Sequence, residues 1–282
     1  MPMWFAAVTL AAAAITATAA ESATPVKMGL QSVVAPFVLP DNTSGLLVDV
    51  VRAAFATQQV KVEFRYLPNA RFDDQMRQGL LDITPTTGTD AAQVGYLSHW
   101  PVTHFHNMAI TLRSKIPTLS RLEDLKRYRV TAFRGARNVL GAAYAAVVGV
   151  NPDYREVVTM PSGALLLGRT DIIISQPDIF QYYLRQQLPH QRTGDDVLAY
   201  HDVLGPGRFY WMRFRTEAQR DAFERGIAQL YATGEIDRIQ QRYARDYGLT
   251  RDFFVALDCQ FRPEQAPQKC KKIREWTRPA QE

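Results

Sequence analysis

Val60-Lys61-Val62-Glu63-Phe64-Arg65-Tyr66 alternates strictly, with Val60, Val62, Phe64 and Tyr66 on one side. A period of two places successive side chains on opposite faces, which is the signature of a β-strand. Working back from it, Leu46, Leu47, Val50, Val51, Ala54 and Phe55 recur at helical spacing behind Ser44, a residue type that caps helix N-termini. A short apolar strand, Val26–Leu30, precedes a loop rich in proline around Ala35-Pro36-Phe37. Working forward, Arg71–Leu80 is a short polar helix broken at Gly79, and Asp82-Ile83-Thr84 is a strand opening into Pro85-Thr86-Thr87-Gly88-Thr89. The order β-α-β-α-β predicts an open, mostly parallel sheet flanked by helices.

A second block repeats that order. Val102–Leu112 is extended, and Ser120-Arg121-Leu122-Glu123 reads as a capping box opening a helix over Leu122–Tyr128. Strands follow at Arg129–Phe133 and Glu156–Met160, with an Ala-rich helix, Val139–Val148, between them. After a helix at Ser162–Leu167, Asp171–Ser175 is an almost continuous apolar strand, as expected where both faces of a sheet are covered. Pro177 suits the first turn of the next helix. Strands at Leu198–Leu204 and Arg208–Phe214 lead to a Thr216-Glu217-Ala218-Gln219 capping box, and Gly234 separates two closing helices. Two such blocks followed by a helical coda predict an α/β protein of two lobes.

The first twenty residues carry an uncharged run from Trp4 to Ala20 that ends in Ala17-Thr18-Ala19-Ala20. This is the pattern of a cleavable secretory signal, which places the chain in the periplasm. No later stretch reaches the ~18 apolar residues a membrane span needs. With 46% hydrophobic and 22% charged residues the chain is globular in composition. Its net charge of +5 is scattered, apart from Lys269, Lys271, Lys272 and Arg274, which argues against nucleic acid as a partner. Cys259 and Cys270 read as one disulfide closing a short loop in an oxidising compartment; a metal or redox role lacks a C-x-x-C spacing or a nearby histidine. His104 and His106 share one face of a strand and read as a structural or exposed pair, with His99 the only further candidate metal ligand. Neither a metal nor another cofactor is expected.

Several spaced stretches carry a resemblance to a known family. They are Gly45…Asp49; Leu67-Pro68-Asn69-Ala70-Arg71 with Gly79-Leu80-Leu81-Asp82-Ile83; and Ile116-Pro117…Leu122…Asp124-Leu125 with Val130 and Gly135. Gly168-Arg169-Thr170-Asp171-Ile172 and Ala228–Tyr243 complete the series. In order and spacing the chain resembles the bacterial extracellular solute-binding proteins of family 3, the amino-acid type. The resemblance implies a type II periplasmic-binding-protein-like fold: a first lobe from residues 21–112 and 201–258, a second from 113–200, two extended crossings acting as hinges, and a stapled tail over 259–282. It also implies a monomer that closes around a small solute.

Where the family carries an arginine for the ligand carboxylate, a few residues past the Thr-rich loop, this chain has none between Arg77 and Arg113. Where the family carries an acid for the ammonium, it has Gln176. Both departures argue against an ordinary zwitterionic amino acid. The remaining candidates are Phe37, as a ring to stack on ligand or as loop packing, and Thr86, Thr87 and Thr89, as hydroxyl and backbone donors or as turn formers. Gly135-Ala136-Arg137-Asn138 opens a helix whose N–H groups and dipole favour an anion, with Arg134 and Arg137 either reinforcing the site or simply solvated. Arg71 is the best replacement carboxylate clamp, because a guanidinium pairs bidentately. Gln176 both donates and accepts and so suits a neutral group.

Three functions fit these residues. The first is a receptor handing a polar or anionic solute to an ABC transporter permease or a sensor. The second is a ligand-free accessory module for another periplasmic protein. The third is an enzyme resembling the exported cyclohexadienyl dehydratases on the same fold, with Asp171 or Asp178 as the acid. No nucleophile elbow, P-loop or zinc-protease signature is present, so the expectation is a binding protein and not an enzyme.

Overall fold

A computed structural model describes residues 24–31, 34–87, 94–191, 194, 196–250 and 252–277. The expected signal segment therefore lies outside the described residues. The first lobe opens with β1 (Val26–Leu30), α1 (Leu46–Ala56), β2 (Val62–Tyr66), α2 (Phe72–Arg77), β3 (Ile83–Thr86), β4 (Tyr96–Leu97) and β5 (Thr103–Phe105). The second comprises β6 (Met108–Leu112), a 3₁₀ turn at Leu122–Arg127, β7 (Val130–Phe133), α3 (Ala136–Val139), α4 (Gly141–Gly149) and β8 (Tyr154–Val157). It continues with α5 (Gly163–Leu166), β9 (Ile172–Ser175), α6 (Pro177–Gln187) and β10 (Leu198–His201). The chain then returns through β11 (Arg208–Phe214), α7 (Glu217–Ala232), α8 (Glu235–Tyr247), α9 (Val255–Phe261) and α10 (Pro267–Thr277).

The first sheet has the order β2-β1-β3-β11-β4 with β5 also on β11; the second has the order β10-β6-β9-β7-β8. In the first, β1 pairs in parallel with β2 and β3, and β11 runs against its neighbours. In the second, β7 pairs in parallel with β8 and β9, and β6 runs against β9 and β10. Each sheet thus has one reversed strand, and that strand is the one the chain enters on crossing from the other lobe. The fold is the two-lobed α/β arrangement expected from the sequence.

β9 shows why its sequence carries no polar alternation. Ile172 and Ile174 join the cluster with Val130, Tyr144 and Val148, while Ile173 faces the other way onto Phe180 and Leu184 of α6. Both faces are covered, so every position is apolar. In the first lobe, α1 and α7 lie so close that a Cβ on Gly226 would sit 2.1 Å from the carbonyl oxygen of Ala54. Asp49 and Gly45 tie the start of α1 to the closing helices: the Gly45 N–H donates to the Tyr243 hydroxyl (2.9 Å), which donates to Asp49 (2.7 Å).

Three local expectations are corrected. Ser44 does not cap α1: its hydroxyl donates to Asp41 (2.6 Å), and Gly45 is the residue preceding the helix. The Ser120 capping box sits one residue later, where Asp124 accepts from the Arg121 N–H (3.1 Å), and it opens a 3₁₀ turn rather than an α-helix. The extended run 102–112 is two strands in different sheets, so β6 belongs to the second lobe rather than the first. The crossings are 106–107 and 202–207. By contrast, Thr216 and Gln219 form the expected reciprocal cap (3.3 and 3.1 Å).

Candidate functional site

The register brings the carboxyl ends of the parallel strands of both lobes to the crossings. Met108 pairs with Ser175, the last residue of β9, and β11 enters its sheet beside the carboxyl end of β3, where Trp211 pairs with Thr86. Ligands of open α/β sheets bind beyond such ends. Arg71 follows β2, Thr86 ends β3 with Thr87 just beyond it, Arg134 to Asn138 follow β7, and Gln176 follows β9. Thr89 lies outside the described residues.

The crossings are tightly built. His106 Nε2 lies 3.0 Å from the Asp202 carboxylate, and His104 Nε2 lies 2.9 Å from the Pro206 carbonyl. Gly207 has φ +79°, and a Cβ there would meet the Phe105 carbonyl oxygen at 2.7 Å, so a side chain would push the two crossings apart. His104 is buried and stacks on Phe209 (4.3 Å between centroids), and that burial lowers its pKa. Both histidines are thus engaged in hydrogen bonds at the crossings, and His99 is elsewhere, its Nδ1 2.8 Å from Glu224. Among the described residues no group of three or more candidate ligands is placed to hold a metal ion.

Two cavities flank the crossings. One, of ≈ 180 Å³, lies between Val139, Leu140, Pro206 and Arg208. The other, of ≈ 310 Å³, is bounded by His106, Met108, Gln176, Tyr200, Thr250 and Asp252, and so by both lobes. Its size is at the small end of ligand pockets.

The predicted residues separate into two groups. Arg71, Thr87, Arg134, Arg137 and Asn138 are exposed. The others are withdrawn into structure. Phe37 is corrected from cleft to core: it is 1% exposed, stacked on Phe253 at 3.7 Å with Phe105 edge-on at 5.3 Å. Three rings in contact bury far more apolar area than one ring against a solute. Thr86 accepts from the guanidinium of Arg213 (3.1 Å), which is itself buried and ion-paired with Asp73 (3.1 Å). Sequence reading did not find Arg213, because a single arginine in an apolar strand carries no sign of where its head group goes.

The helix ends of the second lobe are also filled. The α3 N-terminus, expected to bind an external anion, is occupied by Glu156, which accepts from the N–H groups of Gly135 (2.7 Å) and Arg137 (3.1 Å). Burial pushes the Glu156 carboxyl up, but those two N–H groups, the Tyr154 hydroxyl and Arg137 outweigh it and hold the pKa below the usual carboxylate range. Gln176 borders the larger cavity but its side chain is engaged as a helix cap. It is 4% exposed, accepts from the Ile179 N–H (2.9 Å) and donates to Asp178 (3.1 Å).

Asp178 has no exposed surface and spans the lobes, accepting from the N–H (2.6 Å) and hydroxyl (3.1 Å) of Thr250. Burial pushes its pKa up to about 6 against those bonds. Tyr182 of α6 lies 5.2 Å from Tyr247 of α8, so the two helices meet beside this bond. Asp171 is at the other end of β9, away from the crossings, chelated by Arg129 (2.7 and 2.9 Å), which lowers its pKa. Neither acid is presented to a solute. The Cys259–Cys270 disulfide is formed and pins α9 to α10.

Two lobes joined by two short crossings, with polar groups at the facing strand ends, define the class of two-lobed, hinge-jointed binding proteins. Within that class, the chain belongs to the bacterial extracellular solute-binding proteins, family 3, whose profile matches residues 26–246. It is similar in structure to a polar amino acid ABC uptake transporter substrate-binding protein from Streptococcus thermophilus, with a TM-score of 0.58 and 17% identity, covering 91% of this chain and 93% of that one. A probable amino-acid ABC transporter extracellular-binding protein from Bacillus subtilis gives 0.57 at 16% identity, covering 80% and 99%. A histidine kinase sensor domain with similarity to periplasmic binding proteins gives 0.53 at 18% identity, covering 78% and 95%. No curated protein matches the chain in a sequence search.

Proposed function

We propose that this chain is an exported receptor that closes its lobes over a small polar or anionic solute and delivers it to an ABC transporter permease or a sensor. The observation that carries this reading is the pair of exposed guanidinium groups, Arg71 and Arg134, just past the carboxyl ends of strands in opposite lobes. Closure would bring cations from both lobes to one solute, and selectivity would then depend on groups from each. The replacement of the family acid by Gln176, already spent as a helix cap, favours a solute without an ammonium group. Export by the N-terminal segment and a monomeric state complete the reading.

Calorimetric titration with a panel of mono-, di- and tricarboxylates, phosphate esters and amino acids tests it. The expected outcome is binding of an anionic member, weakened about tenfold or more by Arg71→Ala or Arg134→Ala, since each removes a charge-assisted bond of roughly 1.5–3 kcal/mol. A panel with no binder would instead favour the accessory-module reading, which draws support from the internally filled N-termini of α3 and α6.

A further inference from the structure

The family match ends at residue 246, and the chain continues into α9 and α10. This extension is not a loose tail. Cys270 and Ile273 are buried with Val255, Ala256 and Cys259 against Phe209 of β11, and the disulfide closes the segment on itself. Lys269 is ion-paired with Asp252. α10 is therefore held in one orientation on the first lobe.

Its outer face is chemically distinctive. Lys271, Lys272, Arg274 and Glu275 are exposed, and Trp276 is 38% exposed, with the Lys272 Nζ 4.8 Å from the centre of its ring. Among the described residues, none of Lys271, Lys272 and Arg274 has an ion-pair partner; the Arg274 Nε reaches only the Cys270 carbonyl, at 3.4 Å. With Lys269 paired to Asp252, the remaining three cations of α10 are accompanied by one acid, Glu275. Close cations repel one another unless an anionic surface lies against them. Trp with Lys and Arg is also the combination that settles at headgroup depth, the indole at the boundary and the cations on phosphates. A protein partner would want a contiguous apolar centre, and the apolar stripe of α10, Cys270 and Ile273, is already spent inward.

We propose that α10 docks this protein reversibly on an anionic phospholipid surface through Lys271, Lys272 and Trp276. Attraction of about 1 kcal/mol per cation near such a surface gives a weak, salt-sensitive association. That strength holds the protein at a membrane without anchoring it. The docking is separate from solute binding, because none of these residues lies at the strand ends that face the cleft.

Purified protein is mixed with vesicles of phosphatidylglycerol and phosphatidylethanolamine, or of phosphatidylcholine alone, and followed by co-sedimentation and tryptophan emission. The expected result is binding to the anionic vesicles only, a blue-shifted emission, and loss of both at high salt. K271Q/K272Q should bind about 30-fold more weakly, at ~1 kcal/mol per lysine, with an unchanged melting temperature. W276F should abolish the blue shift. No binding to anionic vesicles at low salt overturns the proposal. So does binding that is unaltered by K271Q/K272Q and W276F, or binding that is equal on phosphatidylcholine. Capture of an acidic protein by the same face without vesicle binding also overturns it.

Discussion

The second lobe uses one construction twice, a parallel strand running into the N-terminus of a helix, and the two copies end in opposite states. After β9 the chain is sealed: Gln176 and Asp178 are buried, and Asp178 bolts the second lobe to Thr250 of the first. After β7 the chain stays open: Arg134, Arg137 and Asn138 are exposed, and only Glu156 plugs the helix end. The difference lies in the neighbours. α6 packs beside α8, with Tyr182 against Tyr247, whereas the end of α3, at Val139 and Leu140, borders a cavity shared with Arg208 and Tyr210 of β11. The same strand-to-helix construction therefore anchors the lobes at one strand end and leaves exposed polar groups at the other. If the bolt persists during closure, the lobes must pivot close to it, and the open end must travel furthest.

The comparison can be broken most forcefully at Asp178. Its pKa of about 6 in the fold exceeds the 3.8 of a free carboxyl, so the folded state binds the proton more tightly than the unfolded state. Stability from this group is complete below about pH 4 and is lost as pH rises through 6, by up to about 3 kcal/mol. The nearby Asp252 also raises this pKa. Asp178→Asn should remove that segment of the pH–stability curve, measured by denaturant melts between pH 4 and 7. An unchanged curve would show that the carboxylate is not buried at the lobe junction.

A smaller effect is expected at the open end. Glu156→Ala should cost roughly 1–3 kcal/mol, because the N–H groups of Gly135 and Arg137 lose a charged acceptor. Sulfate should then restore part of the melting temperature in this variant and not in the parent, by filling the vacated helix end. Smallest in stability, Arg71→Ala and Arg134→Ala should stay within about 0.5 kcal/mol of the parent, as exposed substitutions do. If either unfolds the protein, it is not a group held in reserve for a solute.

The fold was legible for reasons that particular residues make plain. Val60–Tyr66 and Asp171–Ser175 show the two strand patterns, half-covered and doubly covered, and both are strands within a residue or two. Thr216 and Gln219 form the cap their spacing predicts, because a cap is made within one turn. The Cys259–Cys270 bridge follows from nearness along the chain. The site was read less well. Phe37, Gln176 and the α3 N-terminus follow β1, β9 and β7 along the chain, and sequence pattern alone does not reveal the partners that engage them. Those partners are Phe253, Ile179 with Asp178, and Glu156.

Hydrophobic periodicity and helix caps act over a few residues, so the sequence by itself determined the broad order of elements and the two lobes, while the break between β5 and β6 and the ends of β8 and β10 came from the structure. Whether the polar groups at the strand ends face a solute depends on which side chains arrive from distant segments. Thr250 reaches Asp178 across 72 residues and Arg213 reaches Thr86 across 127. A donor or acceptor buried without a partner costs about 1–3 kcal/mol, so the fold spends its polar groups on one another wherever packing brings them together. Only the tertiary structure decided which of them, chiefly Arg71 and Arg134, were left over.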